Sequence, residues 1–163
     1  MMQTLIQIAD CLIQQKETLI TAESLTGGLI AEVLTRQVGA SRWFLGAFVV
    51  YTPWMKKRIL NVDSALIEKY GVVSKECVCA MAQGALTKSN ASWALATSGI
   101  AGPGNFIENH IEKPEGLVWM AIAHQNGRLF DFKEHFKGNR ECIRQQTADF
   151  ILKKLLLILN NTI

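Results

Sequence analysis

The sequence lacks several features that are typical of membrane, secreted or nucleic-acid-binding proteins. Its most apolar run, Leu155–Leu159, is far too short to cross a bilayer, which takes about 20 apolar residues in a helix. Polar side chains interrupt the opening residues, so we expect no signal peptide. The net charge is only +3, and the densest basic cluster is Lys56–Arg58, whereas proteins that bind many phosphates carry longer basic faces. We therefore expect neither a membrane nor a nucleic acid as a partner.

Cysteine is also scarce and irregularly spaced. The four cysteines form neither a CxxC motif nor a zinc-binding pattern, and they are Cys11, Cys77, Cys79 and Cys142. Cys77 and Cys79 are too close along the chain for an ordinary disulfide bond. We therefore expect reduced thiols and a cytoplasmic protein.

The chain shows no internal repeat, linker or shift in composition. At 163 residues it is long enough to bury roughly two thirds of its unfolded surface in one core. We therefore expect residues 1–163 to form a single domain.

Apolar runs and helical periodicity alternate along the chain. The runs that predict strands are Thr18–Ile20, Trp43–Tyr51, Trp93–Thr97, Gly116–His124 and Arg128–Phe136. Periodic segments before, between and after them predict helices, the first over Gln3–Gln15 and the last from Gly138-Asn139 onwards. Asn126-Gly127 between the last two runs predicts a hairpin, and the polar segment Asn105–Lys113 predicts a mobile surface loop. The pattern indicates an α/β fold: a three-layer α/β/α sandwich with a mixed sheet of about five strands.

Two polar turns follow predicted strands and are the first candidates for chemistry. Ser24 lies in the turn Thr21–Gly28, where Gly27 and Gly28 would let a ligand approach the backbone and the start of a helix would offer N–H groups. The alternative is that this turn is an ordinary helix cap. The turn Ser98–Gly104 also offers a hydroxyl and free N–H groups, or else is simply a tight glycine turn.

A reactive serine needs a base, and a lysine is the remaining candidate. His110, His124 and His135 lie in the predicted loop and hairpin strands with no spacing typical of a catalytic triad. Lys56 follows the second predicted strand, and burial or neighbouring cations would lower its pKa enough to free the neutral amine. Tyr51, at the end of that strand, would orient the amine or relay a proton. The alternative is that Lys56–Arg58 is a solvated helix face.

Together these segments closely resemble the C-terminal domain of the competence/damage-inducible protein CinA, and the resemblance covers nearly the whole chain in order. The segments that carry it are Thr21–Gly28, Gly39–Ser41 with Phe44, Tyr51 with Lys56, Gly71–Ser74, Ser98–Pro103, Glu112–Pro114 and Gly138–Arg140.

The resemblance implies a mixed five-stranded sheet between helices, in agreement with the pattern above. It also implies hydrolysis of nicotinamide mononucleotide to nicotinate mononucleotide and ammonia, by a serine and a lysine without a metal or other cofactor. By position, Ser24 resembles the nucleophile, Lys56 its base and Tyr51 an assisting residue. The residues that resemble substrate or oxyanion contacts are Thr26, Gly27, Gly28, Ser98, Gly99, Ala101, Gly102 and Arg140. A homo-oligomer, most commonly a dimer, is the default expectation for such a protein.

Three departures from the family pattern keep a second hypothesis open. Leu25 stands where the family commonly has cysteine, Glu115 replaces a small apolar residue, and the segment Asn105–Ile111 replaces a short glycine-rich link. An added carboxylate near an anionic phosphate would weaken substrate binding. The alternative is therefore a catalytically silent relative that binds a nucleotide or a protein partner. A third hypothesis, a DNA-associated competence factor, rests only on the family's name.

Overall fold

A five-stranded mixed sheet forms the centre of the fold. The computed structural model describes residues 2–161, and Met1, Thr162 and Ile163, at the ends of the predicted domain, lie outside the described residues. The strands are β1 (Leu19–Glu23), β2 (Phe44–Val49), β3 (Trp93–Gly99), β4 (Phe106–Glu108), β5 (Ile111–Lys113), β6 (Leu117–His124) and β7 (Leu129–His135). The main sheet has the order β2-β1-β3-β6-β7, in which β1 is parallel to β2 and β3, whereas β6 is antiparallel to both of its neighbours, β3 and β7. The predicted mixed sheet is confirmed.

Helices cover both faces of this sheet. Within residues 2–161 they are α1 (Met2–Gln15), α2 (Leu29–Thr35), α3 (Pro53–Leu60), α4 (Ser64–Tyr70), α5 (Lys75–Ser89) and α6 (Arg140–Asn160). One core cluster joins α1, α2 and α6 to the sheet, and the other joins α3 and α5 to its opposite face. The predicted three-layer α/β/α sandwich is confirmed. In this part of the chain, no helix has the length and apolarity that a membrane crossing requires.

The central strands alternate between the two cores. Leu19 and Leu95 point to the cluster with α1 and α6, whereas Ile20 and Ala94 point to the cluster with α5. All five residues of β1 are buried. A strand with helices on both faces is buried on both faces, which explains the continuous run Trp93–Thr97 in the sequence of β3. β1 extends to Glu23, three residues beyond the predicted run Thr18–Ile20.

The segment Asn105–Lys113 is not the mobile loop that its polarity predicts. It contains β4 and β5, which pair as a separate antiparallel hairpin with Phe106 opposite Lys113. The prediction was wrong because contacts with a distant part of the chain, rather than local periodicity, fix this hairpin.

The parallel arrangement of β1, β2 and β3 determines where a site can form. Their carboxyl ends lie at one edge of the sheet, since Glu23 is in register with both Val49 and Thr97. Ser24 and Lys56 lie in the segments that follow β1 and β2, and the segment Ser98–Gly104 begins with the last two residues of β3. This is the edge where open α/β sheets bind their ligands.

Candidate active site

Ser24 is held by the backbone at the end of β1. Its N–H donates to the carbonyl of Thr97 at 3.1 Å, which joins the turn to β3, and its own carbonyl accepts from the N–H of Gly27 at 3.1 Å. Ser24 is only 7% exposed. The hydroxyl therefore has a fixed position at the sheet edge.

Lys56 reaches Ser24 because α3 turns back over the end of β2. The hydroxyl of Thr52 accepts from the N–H of Met55 and caps the helix, and Pro53 occupies its first turn. Helical side chains lean towards the N-terminus of their helix, so Lys56 extends back towards the strand end. Its Nζ lies 3.0 Å from Ser24 Oγ.

The burial of Lys56 makes its neutral amine easier to form than that of an exposed lysine. Lys56 is 1% exposed, and this burial lowers the pKa of its amine below the ordinary 10.5, although the nearby Cys77 and Glu108 oppose the shift. Nζ donates to the carbonyls of Val50 at 2.9 Å and Tyr51 at 3.4 Å. A neutral amine has two N–H groups for these carbonyls and a lone pair for the Ser24 hydroxyl. This geometry suits a base.

Glu23 is a residue of this site that the sequence interpretation missed. Its fully buried carboxylate accepts from the N–H groups of Gly28 at 2.9 Å, Ile30 at 3.1 Å and Ala31 at 2.9 Å. The hydroxyl of Thr21 donates to it as well. Glu23 thus caps α2 from inside the sheet and fixes the turn that carries Ser24. The sequence interpretation missed it because it placed Glu23 in the polar turn Thr21–Gly28, whereas the structure extends β1 to Glu23 and buries the carboxylate, which then needs donors.

The remainder of the turn is occupied by contacts within the protein. Thr26 is buried, and its hydroxyl lies 2.9 Å from that of Thr97. Arg144, on α6, donates from Nε to the carbonyl of Leu25 at 3.0 Å and from a terminal nitrogen to that of Thr26 at 2.7 Å. Sequence reasoning gave Arg144 no role, because no local pattern relates it to a turn so distant in sequence.

A cavity of about 310 Å³ opens beside Ser24. The predicted residues that line it are Ser24, Tyr51, Ser98, Gly99, Ala101, Gly102 and Arg140. Lys56 lies behind Ser24, and the three residues Thr26–Gly28 are not in the lining. The cavity is within the size range of small-molecule sites.

Arg140, Tyr51 and Ser98 contact other lining or neighbouring groups. Arg140 donates to the carbonyl of Gly102 at 2.8 Å and to the phenol of Tyr51 at 3.1 Å. Tyr51 contacts the two residues with different groups: its backbone carbonyl accepts from Lys56 Nζ, and the phenol of its half-exposed ring accepts from Arg140. Ser98 is almost fully buried, and its hydroxyl donates to the carbonyl of Val72 at 2.7 Å.

Two of the residues that depart from the family pattern, Glu115 and Leu25, lie at or near the cavity. Glu115 accepts from the N–H of Gly104 at 2.5 Å, and its side chain is not part of the cavity lining. Leu25 is 4% exposed, packs in the core with α6, and borders the cavity next to Ser24. Across residues 2–161, no group of three or more His, Cys, Asp or Glu side chains is arranged to hold a metal ion.

Comparisons with known proteins agree with this fold. The sequence model of the CinA C-terminal domain matches residues 2–159. The chain is 43% identical to the nicotinamide-nucleotide amidohydrolase PncC of Enterobacter agglomerans, over 83% of this chain and 80% of that protein. It is 38% identical to PncC of Escherichia coli K12, over 95% and 92% of the two chains. A crystal structure of a CinA superfamily protein from Klebsiella pneumoniae 700603 superposes with a TM-score of 0.92 at 30% identity, covering 98% and 97%. The chain therefore belongs to the CinA C-terminal domain family.

Proposed function

We propose that the chain is a nicotinamide-nucleotide amidohydrolase, which converts nicotinamide mononucleotide and water to nicotinate mononucleotide and ammonia. The observation that carries this proposal is the 3.0 Å approach of Lys56 Nζ to Ser24 Oγ beside an open cavity. The names of the relatives that are 38–43% identical over most of the chain support the substrate.

The proposed reaction is acyl transfer through Ser24. Its oxygen attacks the carboxamide carbon while Lys56 Nζ takes the hydroxyl proton, giving a tetrahedral intermediate. The C–N bond then breaks, and the proton on Lys56 goes to the leaving nitrogen, which departs as ammonia. Water next attacks the ester carbon and gives a proton to Lys56, and the proton returns to Ser24 as the ester bond breaks. The net change is hydrolysis of one amide.

The other predicted residues take supporting roles in this proposal. Backbone groups of the Ser98–Gly102 segment, including Gly99 and Ala101, border the cavity where the oxyanion and the substrate would lie. Arg140 offers a guanidinium at the cavity surface, which suits the phosphate or ribose of a nucleotide. Tyr51 positions Lys56 through its carbonyl and Arg140 through its phenol.

We assign the segment Thr26–Gly28 to holding Ser24 rather than to contacting the substrate. The hydroxyl of Thr26 pairs with that of Thr97, and the N–H of Gly28 donates to Glu23. The anion site at the start of α2 is therefore occupied by the protein's own carboxylate, and an oxyanion or a phosphate has to bind elsewhere.

The proposal extends to the state of the protein in the cell. We propose that residues 1–163 act as one domain in the cytoplasm. The four free cysteines support this compartment.

We also propose that the chain forms a homo-oligomer. The edge strand β2 supports it, because Leu45 and Val49 are about half exposed on an edge that has no further strand within residues 2–161.

The test is release of ammonia from nicotinamide mononucleotide, together with chromatographic detection of nicotinate mononucleotide. We expect turnover by the wild-type chain and none by Ser24→Ala. Thr87→Ala is the matched control, because it removes an exposed hydroxyl on α5 and should leave turnover unchanged. Saturable binding of the nucleotide without any product would instead support the catalytically silent alternative. Full turnover in Ser24→Ala would remove the proposed mechanism.

A further inference from the structure

The β4–β5 hairpin forms one wall of the cavity and presents an aromatic ring there. Phe106, the first residue of β4, lines the cavity together with Ser24 and Arg140. It remains 45% exposed, although aromatic rings of this size usually bury most of their surface. An open ring at the mouth of a cavity is available to a ligand.

The hairpin holds this ring in place through a pair of charged residues. Glu108 accepts from the N–H of Val72 at 2.7 Å, and Lys113 donates to the carbonyl of Val73 at 2.9 Å. The two side chains also pair with each other at 2.7 Å, and both are only 12–13% exposed. Such partly buried charged contacts are stronger than surface ion pairs. The hairpin is therefore attached firmly to the segment before α5.

Strand geometry directs Phe106 towards the cavity. Side chains two residues apart lie on the same face of a strand, so Phe106 shares its face with Glu108. Phe106 is paired with Lys113 across the hairpin, which places these three side chains on the face that contacts the body of the protein. Ile107 points to the opposite face and is 72% exposed.

The same face lies near the proposed catalytic pair. The negative charge of Glu108 acts on both Lys56 and Cys77, raising the pKa of each against other effects. Ser24 and Phe106 line the same cavity of about 310 Å³, so a ligand whose amide carbon contacts Ser24 extends into a space that Phe106 borders.

We infer that Phe106 is a specificity-determining residue whose ring face binds the positively charged pyridinium ring of the mononucleotide. This inference rests on the proposed function. The carboxamide of that substrate is attached to a planar ring that carries a positive charge because its nitrogen is bonded to ribose. The face of an aromatic side chain attracts such a cation, whereas an aliphatic side chain of similar size only packs against it.

The first test compares steady-state kinetics of Phe106→Leu and Phe106→Tyr with the wild type. We expect Phe106→Leu to raise KM about fivefold to thirtyfold with a smaller change in kcat, and Phe106→Tyr to keep KM within about twofold. Ile107→Ala is the matched control on the outer face of the hairpin and should leave KM unchanged. A KM for Phe106→Leu equal to that of the wild type would overturn the inference.

The second test separates charge recognition from packing. In the Ser24→Ala background, calorimetry measures binding of oxidised nicotinamide mononucleotide, whose ring is cationic, and of its reduced form, whose ring is neutral. Adding Phe106→Leu should weaken the oxidised ligand about fivefold to thirtyfold and the reduced ligand much less. Equal weakening of both would overturn the inference. These failures differ from failure of the proposed function, in which the wild type itself releases no ammonia.

Discussion

Glu23 caps α2 from inside the sheet, so removing its charge tests whether the turn at Ser24 depends on this cap. The informative change is Glu23→Gln, which keeps the shape of the side chain but leaves one oxygen where there were two. If the amide oxygen accepts from the N–H groups of Gly28 and Ile30, the amide NH₂ faces the N–H of Ala31, and two donors oppose each other.

The magnitude follows from these contacts. Loss of one hydrogen bond to a charged acceptor in a buried site removes about 1.5–3 kcal/mol. Loss of the negative charge at the N-terminus of a helix removes a further ~0.3–2 kcal/mol, towards the upper value where the site is buried. We therefore expect Glu23→Gln to lower the free energy of unfolding by about 2–5 kcal/mol. In a chain of this length, a loss of ~3 kcal/mol lowers Tm by roughly 6–12 °C.

Urea denaturation measures this loss, and the chain provides a matched control. Glu32 lies in the first turn of the same helix but is paired with Arg36 on the surface, with both side chains 54% exposed. Glu32→Gln should change the free energy of unfolding by no more than about 0.5 kcal/mol. We also expect kcat to fall in Glu23→Gln, because Ser24 follows it directly. Equal stability losses for the two variants would refute the assignment of Glu23 as the cap.

Three further predictions concern Lys56, the cysteines and the packing of α5. Because burial lowers the pKa of Lys56, kcat/KM should rise with pH, with a midpoint below 10.5. Lys56→Met should lower kcat/KM about 10²- to 10⁴-fold. A kcat/KM that does not change with pH would contradict the role of Lys56 as the base. Iodoacetamide should modify the exposed Cys142 first, which peptide mass mapping detects. Cys77 should react slowly, because burial raises the pKa of its thiol to about 11. Rapid labelling of Cys77 would contradict its burial. Gly84→Ala should lower the free energy of unfolding in urea by about 1–3 kcal/mol, because the new Cβ would clash with the carbonyl oxygen of Leu60. The stabilisation that alanine usually gives in a helix would contradict this packing.

The lowered pKa of Lys56 also affects stability, and its sign can be worked out. Between the folded pKa and the ordinary value of 10.5, the unfolded chain binds more protons at this residue than the folded chain. The contribution of Lys56 to stability therefore rises with pH across that window. Lys56→Met should flatten this part of the stability profile, which urea denaturation at several pH values measures.

The main sheet could be predicted from the sequence because its signals are local. A central strand is buried on both faces and can appear as a continuous apolar run, and β3 illustrates this, since Trp93–Thr97 was predicted and Trp93–Gly99 is observed. The prediction for β1 ended at Ile20, because Thr21 and Glu23 are polar although they are buried. The turn Asn126-Gly127 marked the β6–β7 hairpin, and the observed strands Leu117–His124 and Leu129–His135 begin and end within one residue of the predicted bounds.

The β4–β5 hairpin could not be predicted in this way. Each strand has only three residues, which is too short for a recognisable alternation. What holds it is the contact of Glu108 and Lys113 with Val72 and Val73, more than 30 residues earlier in the chain. A contact of this kind depends on the complete fold.

The reactive residues of the candidate site could be predicted from the sequence, but the contacts that hold them in position could not. Ser24 and the Ser98 turn were found at the ends of predicted strands, Lys56 was the remaining candidate base, and the resemblance to the family supported all three. The sequence did not indicate that Glu23 would occupy the start of α2, because the choice between a ligand and the protein's own carboxylate depends on where the side chain folds. The sequence also did not indicate the role of Arg144, because this residue lies on α6, far along the chain from the Leu25 carbonyl to which it donates.

Labelling with a fluorophosphonate, which phosphonylates only activated serines, tests most directly whether Ser24 is a nucleophile made reactive by Lys56. The folded protein is treated with the probe, digested, and the modified peptide identified by mass spectrometry, with Lys56→Met and Thr87→Ala treated in parallel. The account predicts a label on Ser24 that nicotinamide mononucleotide prevents, that Thr87→Ala retains and that Lys56→Met loses. A label on another serine, or equal labelling of Ser24 in Lys56→Met, would contradict it.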